Sequence, residues 1–521
     1  MKHALQVAAL GLIALASCHS TPQVLDEARA LELRDAATRG TWMQLNAEGR
    51  GLQLKGEATF LNRTETFEFL LAGDGRYRRF VSGPLGQLEV FDGTRVVRQD
   101  SSGLTRELDL GDRAEAPLLA SILTGVWADS QDLRVRESAP GHLVVDRPGT
   151  PLEFELDLNE AGNVPAQITE ETSSGESIMQ LLGWTTIEGL AVPMQIEVRD
   201  QADGEDSLGE SYTAVEGHVV KLHDSSFTID ETPPTDFAFD ASLDAHVEAR
   251  RAITGHVLVH PTVAGEDLGW FILDSGAGAM VLDRTAARGL ELEPLGEVRA
   301  VGVGGSETTQ FVRGAALQLG PMAFDVPVFV ELDLAFLSGV FGVPIGGIIG
   351  YDFFGRAVVE IDTETVALHD ARTFTPDAAW PSVALAFQGK TPCAEASFPA
   401  QGKKATAWFR LDTGANGALT FHAPAVKSFD LLANRETHLA EFGGVGGTSS
   451  GYFGQLEWFE LGGRRMEALE AGFAMNEVGT FADAYTAGNI GQEVFKGARL
   501  VFDFPAERLY FAPSLDAETA E

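Results

Sequence analysis

Two segments of this chain repeat each other, and that repeat restricts the fold more than any bulk property does. Phe271-Ile272-Leu273-Asp274-Ser275-Gly276-Ala277 and Phe409-Arg410-Leu411-Asp412-Thr413-Gly414-Ala415 share an apolar lead-in, an aspartate, a hydroxyl residue, a glycine and an alanine. The aspartates stand 138 residues apart. Each is followed by a glycine-rich stretch, Gly302-Val303-Gly304-Gly305 in the first unit and Gly443-Gly444-Val445-Gly446-Gly447 in the second. Ile348-Ile349-Gly350 and Asn489-Ile490-Gly491 come next, and Asp362 and Asp503 follow 12 residues after the last glycine of each. A single Asp-Thr-Gly also reads as an ordinary turn at a strand end. Two copies with the same order and spacing predict two structurally equivalent lobes.

One aspartate per lobe brings a pair of carboxylates together across a pseudo-two-fold axis. Two carboxylates about 3 Å apart do not both ionise easily, so they share one proton. Such a pair offers a base to activate water and an acid to protonate a carbonyl oxygen, the two needs of peptide hydrolysis.

Over residues 252–513 this motif set resembles the pepsin–retropepsin superfamily of aspartic peptidases, in particular bacterial retropepsin-like members that carry both lobes in one chain. The resemblance implies lobes at 252–371 and 383–513, with Asp274 and Asp412 as the catalytic pair. It implies that the hydroxyls of Ser275 and Thr413 bond across the two loops. Gly276 and Gly414 are expected to let the backbone turn tightly and present N–H groups near the carboxylates. The final glycine of each Ile-Ile-Gly or Asn-Ile-Gly motif fits a strand crossing under the active loop. Asn489 departs from the apolar pattern and is expected only to weaken packing there. The glycine turns match the flap position, with Gly304, Gly305, Gly446 and Gly447 as flap candidates and a two-flap arrangement favoured. Such an enzyme takes a peptide or protein substrate, extended in the cleft, and needs no metal or organic cofactor.

The N-terminus reads as an address. An apolar stretch from Ala4 to Ala16 follows Lys2 and ends in Leu15-Ala16-Ser17-Cys18. It has the length of a signal segment and is too short to span a bilayer, which takes roughly 20 residues. The ending resembles a bacterial lipobox, so residues 1–18 are expected to be a lipoprotein signal with Cys18 as the lipidated residue. The chain would then be held at a membrane of the bacterial cell envelope, with the outer membrane preferred because His19, not Asp, follows the cysteine. Lipidation would leave Cys393 with no cysteine partner, and a buried, idle thiol is expected there.

The net charge of −38 disfavours nucleic acid as a partner. No HExxH occurs and the 11 histidines show no ligand spacing, so no metal site is expected. Gly447-Thr448-Ser449-Ser450-Gly451 has the GxSxG form, but a serine hydrolase needs it at a strand–turn–helix junction, and here it lies in a glycine- and serine-rich turn.

Many glycine turns and short apolar runs predict a mainly β chain: an antiparallel, curved N-terminal sheet followed by two acid-protease-type β lobes. Residues 24–240 read as one β-rich domain opened by a helix over 24–40 that stops at Gly40. Leu152, Phe154, Leu156 and Leu158 alternate with acidic residues, the pattern of a half-buried strand. Gly73-Asp74-Gly75 and Asp92-Gly93 mark hairpin turns. This half resembles LolA/LolB-like envelope lipoprotein domains, which implies a cavity for a lipid or apolar ligand. The stretch from Pro233 to Arg251 reads as a linker. A monomer is expected. The alternative to a peptidase is a non-catalytic envelope lipoprotein that binds lipid or extended peptide.

Overall fold

The computed structural model describes residues 23–24, 39–129, 132–160, 164–173, 175–202, 205–302, 305–363, 365–444, 447–476 and 478–513. Cys18 and the rest of the expected signal lie outside them. Strands make up 52% of the structure and helices 11%, a mainly β fold as the sequence predicts.

The N-terminal half is built on a 14-stranded antiparallel sheet, with a separate two-stranded hairpin of Thr185–Ile187 and Leu190–Val192. The centre of the sheet is the pairing of Arg50–Phe60 with Glu205–Lys221. From there one arm runs through Arg63–Ala72, Tyr77–Val81 and Gln87–Phe91, and the other through Gln195–Ala202, Gly175–Leu182 and Pro165–Thr172. Along Glu153–Leu158, Phe154 and Leu156 are buried while Glu153 and Glu155 face solvent, as the alternation requires. Leu143 and Val145 on one arm share a single core with Phe69 and Tyr77 on the other, and with Trp42 and Leu123 from two short helices. The sheet therefore bends around one apolar centre instead of lying flat.

The expected helix over 24–40 is corrected at both ends: Val24 lies in the strand Gln23–Val24, which pairs with Arg134–Ala139. The helix is Arg39–Ala47, with Gly40 inside its first turn, and residues 25–38 lie outside the described residues. Trp42 and Leu45 fall on one helical face and are both buried. Gly49, with φ of 64°, ends the segment instead.

The stretch expected as a linker is built into the C-terminal sheets. Phe237–Phe239 pairs with Met322–Phe324, His246–Val247 with Val366–Asp370, and Ala249–Arg251 with Val257–Val259. Buried Phe237 supplies the apolar anchor that the prolines before it obscured.

The C-terminal half has two eight-stranded sheets of matched design. In the first, Trp270–Leu273 runs parallel to Ile345–Ile349, which pairs on its other side with Met280–Asp283. In the second, Lys403–Leu411 runs parallel to Gly488–Ile490, which pairs on its other side with Leu419–Phe421. A six-stranded sheet joins the lobes, with Ala357–Ile361 of the first pairing with Arg499–Asp503 of the second. Residues from both lobes contribute to one apolar core rich in phenylalanine.

The N-terminal sheet is docked onto this pair of lobes. Leu104 is buried in the C-terminal core. Asp109 accepts from the Phe387 N–H at 3.1 Å, Gly111 N–H donates to Gln388 Oε1 at 2.9 Å, and Asp112 accepts from Gly389 N–H at 3.1 Å. Glu297 N–H of the first lobe donates to Leu61 O at 3.2 Å, and Gly479 N–H of the second donates to Ser173 O at 2.7 Å.

Candidate active site

Each aspartate sits at the end of the inner strand of its lobe. Asp274 N–H donates to Ile349 O and Asp412 N–H to Ile490 O, both at 2.9 Å, so the crossing strand fixes each loop from one side. Gly350 and Gly491 end those crossing strands. A Cβ on Gly350 would strike the carbonyl oxygens of Ala277 and Ala279, and one on Gly491 those of Ala415 and Gly417. Only glycine fits at either place.

The two loops hold each other through four crossed hydrogen bonds. Ser275 N–H donates to Thr413 Oγ1 at 2.9 Å, and Thr413 N–H to Ser275 Oγ at 3.1 Å. Ser275 Oγ donates to Leu411 O at 2.8 Å, and Thr413 Oγ1 to Leu273 O at 2.9 Å. Both hydroxyls are buried, so each bond is shielded from water and each partner would be orphaned without it.

This exchange sets Asp274 and Asp412 against each other. A Cβ on Gly276 would lie 2.7 Å from Asp412 Cγ, and one on Gly414 would collide with the Asp274 carboxylate. Gly276 N–H donates to Asp274 Oδ1 at 2.8 Å and Ala277 N–H at 3.2 Å, while Gly414 N–H donates to Asp412 Oδ1 at 3.0 Å. Burial and the neighbouring Asp412 charge push the Asp274 carboxyl up to about 7. Burial raises Asp412 as well, opposed by the Gly414 N–H, Arg410 and Asn489. A carboxyl pair in which burial raises both members, and the charge of one raises the other further, holds one proton between them over a wide pH range.

The glycine-rich stretches are hairpin ends. Glu293–Gly302 pairs with Gly305–Arg313, the last pair being Gly302 with Gly305, and Thr437–Gly444 pairs with Gly447–Leu461, the last pair being Gly444 with Gly447. Gly305 and Gly447 thus take equivalent places in the two lobes. Gly304 and Gly446 lie outside the described residues. Ser449 lies within the strand Gly447–Leu461, away from any strand–turn–helix junction, so the GxSxG match has no nucleophile geometry. Cys393 is buried and its thiol is pushed up to about 12 by burial, an inert packing residue.

The surroundings of Asp412 contain groups the motifs did not announce. Asn489 is no mere packing defect: its Nδ2 donates to Asp412 Oδ2 at 3.0 Å, and its Oδ1 lies 2.9 Å from His422 Nε2. His256 Nε2 donates to Gly414 O at 2.7 Å from the first lobe, and Gln492 Nε2 donates to Thr413 O. Asn489 was visible as a break in the repeat. His256, His422 and Gln492 carried no signal, because single residues from distant segments leave no spacing to read.

Against this geometry stands one family match. Residues 259–353 match the aspartyl protease family model. The matched stretch holds Asp274, the first glycine hairpin and Gly350, and falls well short of half the 521-residue chain. At the family level it supports a protease, a hydrolase of the aspartic type. No curated protein matches the chain.

Proposed function

We propose that the chain is an aspartic endopeptidase of the bacterial cell envelope, with Asp274 and Asp412 as its catalytic pair. The observation that carries this reading is the crossed bonding of Ser275 and Thr413, which sets the two aspartates against each other.

In the proposed reaction a water lies between the carboxylates. The ionised member takes a proton from it as the water oxygen bonds to the peptide carbonyl carbon. The protonated member gives its proton to the carbonyl oxygen, and a neutral tetrahedral diol forms. As the C–N bond breaks, the first aspartate returns its proton to the leaving nitrogen and the second recovers one from the diol, which restores the starting state. Two carboxylates and a water supply all of this chemistry, so the reading calls for no metal or cofactor. The two glycine-tipped hairpins are the segments suited to close over an extended peptide and exclude water.

The envelope setting rests on the Cys18 lipobox, and the reading takes the chain as a lipid-anchored monomer. A second reading, a lipid or apolar-ligand carrier, is favoured by one feature of the N-terminal sheet. A cavity of about 70 Å³ is lined there by Leu54, Phe67, Phe69, Met179, Met194 and Ile196 among others, with Arg79, Glu89 and Glu210 at its wall. The apolar part of the lining suits an apolar group, although the volume is below that of a usual ligand pocket, and the two readings are compatible within one molecule.

The test is cleavage of an unfolded-protein mixture by the chain lacking residues 1–18, beside Asp274→Asn and Asp412→Asn, from acid to neutral pH. Cleavage that both substitutions abolish supports the pair as catalytic. Cleavage that survives either one contradicts it. Pepstatin inhibition indicates a pepsin-like cleft, and resistance a retropepsin-like one.

A further inference from the structure

The lobes give their aspartates different surroundings. Ile348 in the first lobe pairs with Ile272 on one side and Val281 on the other. Asn489 in the second pairs with Arg410 and Thr420. Three apolar residues that share one cluster are thus matched by three polar ones. The polar set continues away from the site. Asn489 Oδ1 faces His422 Nε2 at 2.9 Å, and His422 Nδ1 lies 3.1 Å from both the hydroxyl and the carbonyl oxygen of Thr486. The Thr486 hydroxyl touches Asp483, which binds Arg410 Nη2 at 2.9 Å. Asn489, His422, Thr486 and Asp483 are all buried.

The two aspartates consequently differ in what they accept. Asp274 accepts from backbone N–H groups at Oδ1. Asp412 accepts at Oδ1 from Gly414 N–H and at Oδ2 from the Asn489 amide, which is in turn held by His422. An amide against a carboxylate that shares a negative charge turns its N–H toward it, since the charge-assisted bond is about twice as strong as a neutral one. His422 then donates from Nε2 to the amide oxygen. Burial pushes His422 down to about 4, so it acts as a neutral donor and adds no charge of its own. The other charged or titratable groups around the pair are Arg410 with its partner Asp483, His256 on Gly414 O, and Lys390, whose amine is engaged by Asp352 at 3.2 Å and Asp100 at 3.5 Å.

We propose that Asn489 and His422 are positioning residues that make the pair unequal, holding Asp412 as the ionised member and leaving the shared proton on Asp274. Asp412 is then the base that takes the proton of water, and Asp274 the acid that protonates the carbonyl oxygen. These roles rest on the peptidase reading; the inequality itself rests on the bonding.

The experiment follows the aspartate carboxyl carbons by 13C NMR across pH in the full chain lacking residues 1–18, with the pair assigned by Asp274→Asn and Asp412→Asn. The lower of the pair's two titration steps should belong to Asp412. Asn489→Ile, which copies the first lobe, should raise that step by about one pH unit or more. His422→Leu should move it the same way, and His422→Gln, which can still donate to the Asn489 oxygen, should restore it. Ile348→Asn keeps the network and adds a donor beside Asp274, so it should narrow the gap between the steps even if Asn489→Ile fails to fold. A lower step assigned to Asp274, or steps unmoved by Asn489→Ile and Ile348→Asn, overturns the proposal. Steps that move as expected in a protein that cleaves nothing would sink the peptidase reading and leave the inequality standing. Cleavage with unmoved steps would sink the inequality alone.

Discussion

Thr413 and Ser275 each place one hydroxyl between the two strands that carry the aspartates, and each oxygen both gives and receives a hydrogen bond across the lobes. Thr413→Val keeps the shape and removes both roles, orphaning Leu273 O and Ser275 N–H in a buried place. A loss of about 1–3 kcal/mol of stability is expected, with kcat falling and KM little changed, measured by denaturant unfolding and steady-state kinetics. Asp274 gives a second prediction with a definite sign. Its carboxyl is raised on folding, so the stability it contributes is full below the unfolded value near 3.9 and is lost as pH rises to about 7. Asp274→Asn should therefore be more stable than wild type at pH 8, by on the order of a few kcal/mol, with little advantage at pH 4. Equal gaps at both pH values would contradict the assignment. These residues were legible because the motif repeats. His422, Thr486 and Asp483 were not, since they converge from separate segments and form a network only once folded. Arg410 stood in plain view within the repeat, where its charge broke the apolar lead-in, and Asn489 carried the same signal.

At the level of elements, the glycines that end the crossing strands carry the tightest steric demand. Gly350→Ala would drive a methyl onto two carbonyl oxygens and should cost on the order of 2–3 kcal/mol or leave the chain unfolded. Gly339→Ala is the matched control: nothing lies within 4 Å of a Cβ there. It sits within the helix Ala335–Phe341, where alanine is favoured over glycine, so neutral or slightly raised stability is expected. Thermal unfolding of the two variants checks both. Elements with a clear period, such as Glu153–Leu158 with its buried Phe154 and Leu156, could be read from sequence alone. The helix end could not be, because Gly40 looks the same in the first turn of a helix as after its last. The short strands at Phe237–Phe239 and His246–Val247 were likewise hidden, since two or three residues give no period and their pairing partners lie more than 80 residues away.

Across the whole molecule, the N-terminal sheet and the two lobes are joined by buried as well as polar contacts. Arg356 is fully buried over the Phe324 ring, 4.4 Å from its centre, and binds Asp236 Oδ1 at 2.8 Å and Ser102 O of the N-terminal sheet. Arg356→Ala should cost about 2 kcal/mol, below the usual figure for breaking a buried pair because Asp236 is a third exposed. It should also separate the unfolding of the N-terminal sheet from that of the lobes, a single transition in wild type becoming two in calorimetry. The lobes themselves were foreseeable from the repeat, whereas the docking was not, because the contacts at Ser102, Asp109 and Gln388 depend on surfaces that only the finished sheets create. We propose that one proton shared by Asp274 and Asp412 drives hydrolysis. This claim is met most directly by the pH dependence of kcat/KM on a single cleaved peptide. A bell is expected, with an acid limb where the ionised aspartate takes up a proton and a basic limb where the second loses its own, and no measurable rate in either Asp→Asn variant. A rate that climbs to a plateau through neutral pH, or that persists in Asp274→Asn or Asp412→Asn, would contradict it.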